Sequence, residues 1–398
     1  MTVKIYYSND IHLLSEAFTN VVFNQSKDLF NLPEIIIPNP YLMKWLKLQF
    51  IESNHLFINK SYNVIESGLF TICQKLTSIN KPIEQLDEMT LTVSIIEFLQ
   101  NNKPILPKEY KNYLYDSENN IQDRKLYNLS LLLANLFLEY ENSRNELISK
   151  WENNEQLFTQ NKIELFQKKL YTYLFLKNNN EKQNLETFSL YRFWKYCQNQ
   201  NLFKKKNINL ILFGANQLSE LHATILYNIA KHIDITLFQL NPCSEFWEDI
   251  ETPGEEKWSK IQRIKLLHND EGEYLEDNEQ ENLLLKFWGK AGRETIKKLT
   301  LIDEEGSKEL FSESIWLESN ILKRNSVLSI VKNQILHLQN TSVQKINQDK
   351  SIQIIGCNDI YSEVESIFAS ISANIRSDPS LKLTDCAILI PDMDTYAP

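Results

Sequence analysis

The chain has 398 residues, of which 42% are hydrophobic and 11% aromatic, so it can bury large cores and is too long for one ordinary domain. A formal net charge of −10 at pH 7 argues against a protein that coats nucleic acid with one basic face, while leaving room for a basic channel in an acidic body. No apolar run approaches the roughly 20 residues that span a bilayer, and MTVKIYYSNDIHLL is too polar for a signal peptide, so a cytoplasmic protein with no membrane partner is expected.

In chain order, VKIYYS reads as a strand. Asp10 then caps a helix with Leu13, Leu14, Ala17, Phe18, Val21 and Val22 on one face. IIIPNPYLMKWLKLQF, residues 35–50, follows: β-branched residues give a second strand, and Leu42, Trp45, Leu46 and Phe50 fall at helical spacing. GLFTICQKL adds another helix. Such a βαβα start predicts a parallel sheet with helices on its faces. Nucleotide-binding ATPases place their phosphate loop at a junction of this kind, with glycines, a Lys and a hydroxyl. Here the turn is Pro38-Asn39-Pro40, whose prolines remove two N–H donors. Neither GxxxxGK[ST] nor GxGxxG occurs, so ATP hydrolysis by this chain and a nucleotide cofactor are not expected.

From about residue 85 to 204 strand signals vanish and helical periodicity takes over. Leu126, Leu129, Leu132, Leu133, Leu136, Phe137 and Tyr140 step along one face, and Leu165, Phe166, Leu170, Tyr173 and Leu174 repeat the pattern. After Lys204-Lys205-Lys206 the strands LILFG and DITLFQLNP flank a helix around LHATILYNIAKHI. LHNDEGEYLEDNEQEN, 267–282, carries seven carboxylates and reads as a solvated loop. Beyond a helix at SVLSIVKNQILHL, SIQIIGC and DCAILIP read as strands around the helix SEVESIFASISANI. The expected domains are therefore an α/β part at 1–84, a helical insertion at 85–204, the resumed α/β part at 205–350, and at 351–398 the truncated start of a second α/β domain.

Cys73, Cys197, Cys243, Cys357 and Cys386 stand far apart without a CxxC pair, and are expected as core thiols. The six histidines are scattered and form no metal-ligand motif.

The fragments IIIPNPYLMKWL, RKLYNLSLLLANLFLEY, NPCSEFWEDI, LLLKFWGKAGRE and LIPDMDTYAP, in this order, resemble the N-terminal part of the RecC family, the gamma subunits of exodeoxyribonuclease V. The resemblance covers essentially the whole chain. It implies a superfamily-1 helicase-like fold without ATPase motifs, no cofactor, and RecB-like and RecD-like motor subunits as partners. It also implies a noncatalytic channel for single-stranded and duplex-end DNA that is scanned for the Chi sequence.

Carried over by position, Pro38, Pro40 and Lys44 stand where the family's Chi contacts use Gln and Thr side chains, and these are departures. Val64 and Phe70 stand where an apolar and an aromatic contact are implied, and Leu136 and Arg144 match. Asn135 and Glu139 stand near acidic or amide positions, and Thr187 where a basic residue is implied. An amide pairs with a base edge, whereas Pro offers no side-chain donor and Lys mainly a point charge, so the familiar Chi sequence is not expected to be read.

Each residue has a structural alternative. Trp45 and Leu46 serve either the core or base stacking, as does Phe70. Leu136 serves packing or contact, and Arg144 pairs with Glu141 or meets DNA. Lys204-Lys205-Lys206 is either a solvated turn or a phosphate contact. Two other function classes remain beside the DNA channel: a divergent nuclease built around Glu255-Glu256-Lys257, and a protein-interaction scaffold that never touches DNA.

Overall fold

The computed structural model describes residues 2–25, 32–53, 62–79, 81, 83–118, 120–158, 161–177, 187–257, 282–306, 311–319, 326–339 and 349–396. The acidic stretch 267–281 thus lies outside the described residues. The chain divides into two units, Met1–Ile321 with Gln334–Thr341, and Leu322–Asn333 with Ser342–Pro398.

The first unit is built on a six-stranded sheet in the order β3-β2-β6-β7-β1-β8. Its strands are β1 (Thr2–Ser8), β2 (Glu34–Ile36), β3 (Tyr62–Asn63), β6 (Asn209–Phe213), β7 (Asp234–Leu240) and β8 (Phe311–Trp316), and every pairing is parallel. Alternation along the strands sorts side chains onto two faces. Val3, Ile5, Ile36, Leu210, Leu212, Ile235 and Leu237 pack with α3 (Ile65–Leu76) and α10 (Glu220–Ala230). Ile35, Ile37, Ile211, Phe213 and Phe238 pack with α1 (Ile11–Gln25) and α2 (Pro40–Glu52). Covering both faces explains why these strands read as continuous apolar runs.

Between β3 and β6 the chain leaves the sheet for α4 (Glu88–Asn101), α5 (Lys108–Leu114), α6 (Asp123–Ser143), α7 (Asn145–Glu152), α8 (Lys162–Tyr171) and α9 (Leu190–Asn199). α8 runs on as a π-helix, Thr172–Lys177. The buried Glu164 binds this insertion locally: its carboxylate accepts from Trp151 Nε1 (3.1 Å), Leu157 N (2.6 Å) and Phe158 N (2.8 Å).

Several features depart from the sequence reading. Within the insertion β4 (Glu84–Gln85) pairs in parallel with β5 (Thr187–Phe188), where no strand was expected. The short β3 and the edge strand β8 were equally unannounced, because two residues carry no periodicity and FSESIW alternates only weakly. In the second unit SIQIIGC and DCAILIP form no ladder among the described residues, and Ile354 and Leu389 are 97% and 95% exposed. An extended segment becomes a strand only when a neighbour takes its N–H and C=O groups. Cys73, Cys197 and Cys243 are core thiols as expected; Cys357 is exposed and Cys386 half-buried.

A third core unites the two most specific sequence fragments. Cys243, Trp247 and Ile250 of NPCSEFWEDI pack against Leu285 and Ile296. Asn241 Oδ1 accepts from Trp247 Nε1 at 3.1 Å and from Cys243 N at 3.2 Å.

Candidate nucleic-acid interface

The site grows from the carboxyl end of β2. Asn39 caps α2, its Oδ1 accepting from Leu42 N at 2.8 Å, with Pro40 in the first turn. The helix thus spends one of its initial N–H groups on its own cap, and Pro40 supplies none. Met43, Leu46 and Phe50 face the sheet, which leaves Tyr41, Lys44, Lys47, Leu48 and Ile51 exposed on the other side. Leu46 is therefore a core residue. Trp45 is half-buried, its ring meeting His12 edge-on at 5.5 Å. Lys47 lies over the ring of Tyr62.

Two hydrogen bonds extend this surface. Ile37 N donates to Asn63 O at 3.0 Å, which sets the Pro38-Asn39-Pro40 turn beside Val64, the exposed N-cap of α3. In the first turn of α3, Glu66 Oε1 accepts from Asn142 Nδ2 at 2.7 Å, which joins the start of α3 to the last turns of α6. Asn135, Glu139 and Asn142 recur at helical spacing, so they share one face of α6. Arg144 closes α6 and is exposed. The helical-turn pair between Arg144 and Glu141 is not made, since Glu141 points inward and accepts from Tyr171 Oη at 3.0 Å.

Asn135, Leu136 and Glu139 also line a shallow, open surface along α6, together with Asn128, Leu131 and Leu132. These last three were missed from the sequence. Their signal was there in LSLLLANL, which is apolar over more of the helix than one core can bury, and Leu132 is accordingly 61% exposed.

Pro38, Pro40, Lys44, Val64, Asn135, Leu136, Glu139 and Arg144 are thus carried on one bonded series of elements, from the β2–α2 turn through the start of α3 to α6. Phe70 does not join them. It is 4% exposed, with its ring 4.8 Å from that of Phe193, so it belongs to the core and offers no face to a base. Thr187 is exposed at the start of β5. Chemically the series offers cations at Lys44 and Arg144 for phosphates, amides at Asn128 and Asn135 for base edges, and leucines for apolar contact.

Glu255 of the Glu-x-Lys stretch is an anchor. Both its oxygens accept from Arg293 Nη2 (3.0 and 2.9 Å), and Thr252 N and Oγ1 each donate at 2.9 Å. Lys290 Nζ lies 2.9 Å away, and these bonds, Lys290 first, hold the carboxyl down to about 2. No helix among the described residues is long and apolar enough to cross a membrane.

A family model described as RecC, N-terminal domain, matches residues 3–338. The RecBCD enzyme subunit RecC of Haemophilus influenzae is 25% identical over 438 residues, a match covering 99% of this chain and 38% of the relative. That of Escherichia coli (strain K12) is 24% identical, covering 100% of this chain and 37% of the relative. A RecC subunit from Mycolicibacterium smegmatis is 25% identical over 193 residues, or 48% of this chain. The chain spans less than two fifths of the length of the first two relatives.

Proposed function

The chain belongs to the RecC family, and on that premise we propose that it forms a noncatalytic DNA-channel and Chi-type scanning surface of a RecBCD-type helicase-nuclease acting in DNA repair and recombination. RecB-like and RecD-like motor subunits are its partners in this reading, in keeping with the name its relatives carry. The observation that supports it most is the bonded series from the Pro38–Lys44 turn, through Val64, to the exposed face of α6 that carries Asn135 and Glu139. The β2–α2 turn holds the place of a nucleotide loop but carries a proline in the first helical turn and its own asparagine cap, a surface better suited to meeting a strand than to cradling a triphosphate. With Pro38 and Lys44 in place of amides, the sequence read differs from the familiar Chi.

The test is fluorescence anisotropy with labelled single-stranded DNA, without ATP. Lys44→Glu weakens binding by about fivefold or more, the effect of losing and reversing one phosphate contact, and leaves the melting temperature unchanged. An unchanged affinity would remove the turn from the DNA surface. A second reading, a protein-interaction scaffold, is favoured by the exposed Tyr41, Leu48 and Ile51 on α2. Binding of a RecB-like subunit that survives Lys44→Glu but is lost on Leu48→Asp, with no DNA bound at any salt concentration, would select it.

A further inference from the structure

The carboxyl end of the sheet carries the proposed DNA surface, but the amino end carries a separate concentration of positive charge. There three segments distant in sequence converge. Lys204 N donates to Leu76 O at 3.0 Å, Lys206 N donates to His232 O at 3.1 Å, and Lys206 Nζ donates to Lys75 O and to Thr77 O. These bonds gather Lys75, Lys204, Lys205 and Lys206 with Lys231-His232 from the end of α10. Burial, and then the charges of Lys205 and Lys231, hold the His232 imidazole below its ordinary pKa, which places both ammonium groups within electrostatic reach of one ring.

Among the described residues two carboxylates stand at this end. Glu34 takes Lys75, and the Asp234 carboxylate accepts from Thr2 N and Oγ1. Lys204 and Lys205 are exposed and make no ion pair among the described residues. Lys206 satisfies carbonyls at the C-terminus of α3 and so holds the cluster in place. In a chain of net charge −10 this is a focused patch and not a general basic surface.

We propose that the Lys204–Lys206 cluster at the amino end of the sheet is a second contact for the phosphodiester backbone of DNA, blind to sequence. The ligand class follows from the donors. Compact ammonium groups without a guanidinium fork suit phosphates met as point charges. No large apolar side chain in segments 75–79, 203–208 or 231–234 is exposed, so the patch lacks the apolar centre of a protein-docking site. The inference shares with the proposed function only the premise that the chain meets DNA, and it concerns the opposite end of the sheet.

Single-strand binding is measured by anisotropy across a salt series for the wild-type chain, Lys204→Glu/Lys205→Glu, the neutral pair Lys204→Gln/Lys205→Gln, and Lys44→Glu. Removing two phosphate contacts lowers the slope of log K against log salt by roughly 1.4 in both double variants, with at least a tenfold loss of affinity at low salt for the charge reversal. Unchanged melting curves confirm that the variants are folded, and a folded neutral pair keeps the test open if the reversal unfolds. Unchanged slope and affinity in the double variants overturn the second contact, while a simultaneous loss in Lys44→Glu leaves the proposed function standing. A wild-type chain that binds no strand at low salt overturns both. Polyglutamate competing as well as DNA identifies an acidic partner and overturns the assignment to DNA.

Discussion

Glu141 is the residue whose chemistry departs furthest from its surface appearance in the sequence. It is 2% exposed, one oxygen accepting from Tyr171 and the other without a partner. Burial raises its pKa from 4.5 to about 7, against the lowering effects of Ser189, Arg192 and Tyr171. A carboxyl raised in the folded state holds its proton there after the unfolded chain has released it. The stability it permits is therefore complete below pH 4.5 and is lost as pH rises towards 7. A shift of that size corresponds to about 3 kcal/mol. Glu141→Gln should remove that slope, so that the variant melts above the wild type at pH 7.5 and close to it at pH 4.5. Parallel pH profiles of melting temperature for the two proteins would contradict this. Phe70 teaches the complementary lesson: its position in the sequence matches an expected aromatic contact, but Phe193 already takes its ring.

At the scale of elements, the fragments NPCSEFWEDI and FWGKAGRE owe their specificity to each other. A Cβ at Gly289 would lie 2.4 Å from Leu285 O and 2.8 Å from Trp247 Cζ3, so the turn between the helices Leu283–Trp288 and Lys290–Gly306 closes only around glycine. Four residues on, Arg293 reaches Glu255 and ties the second helix to the helical segment 253–257. Gly289→Ala should cost about 1–3 kcal/mol through overpacking, measured as a lower urea midpoint. Single-strand affinity at the Lys44 turn should not change, and if it fell in a folded variant the third core would be coupled to the DNA surface. The helices and the main strands were legible beforehand because each carries its own period: β6, β7, α2, α3 and α10 formed within three residues of the positions their apolar spacing predicts. β4, β5 and β3 were not, since two-residue ladders depend on a partner far away in the chain.

For the molecule as a whole, burial is unevenly shared between the two units. In the first, β6 and β7 lie in the middle of the sheet and are covered on both faces. In the second, the helix Ile360–Ser377 has no buried residue, although Asp359 caps it at Ser362 N with a bond of 2.7 Å. Few buried contacts mean a low cost of local opening. Hydrogen exchange of this chain should therefore show the amides of Ile360–Ser377 exchanging well before those of Leu210–Phe213 and Ile235–Leu237. Comparable protection in both would mean that the second unit has a core of its own.

By itself the sequence determined a parallel α/β sheet interrupted by helices, a β2–α2 turn without the glycines of a phosphate loop, and membership of a family through fragments specific enough to recognise. All of these depend on local period, on turn chemistry or on the order of residues along the chain. The tertiary structure alone decided that Phe70 and Leu46 are core while Lys44 and Leu132 are not. It also decided that Glu66 meets Asn142, and that Lys204 and His232 share one end of the sheet. Which of several apolar side chains is buried, and which polar groups meet, is settled by the register and crossing of elements far apart in sequence, and no spacing along the chain encodes that.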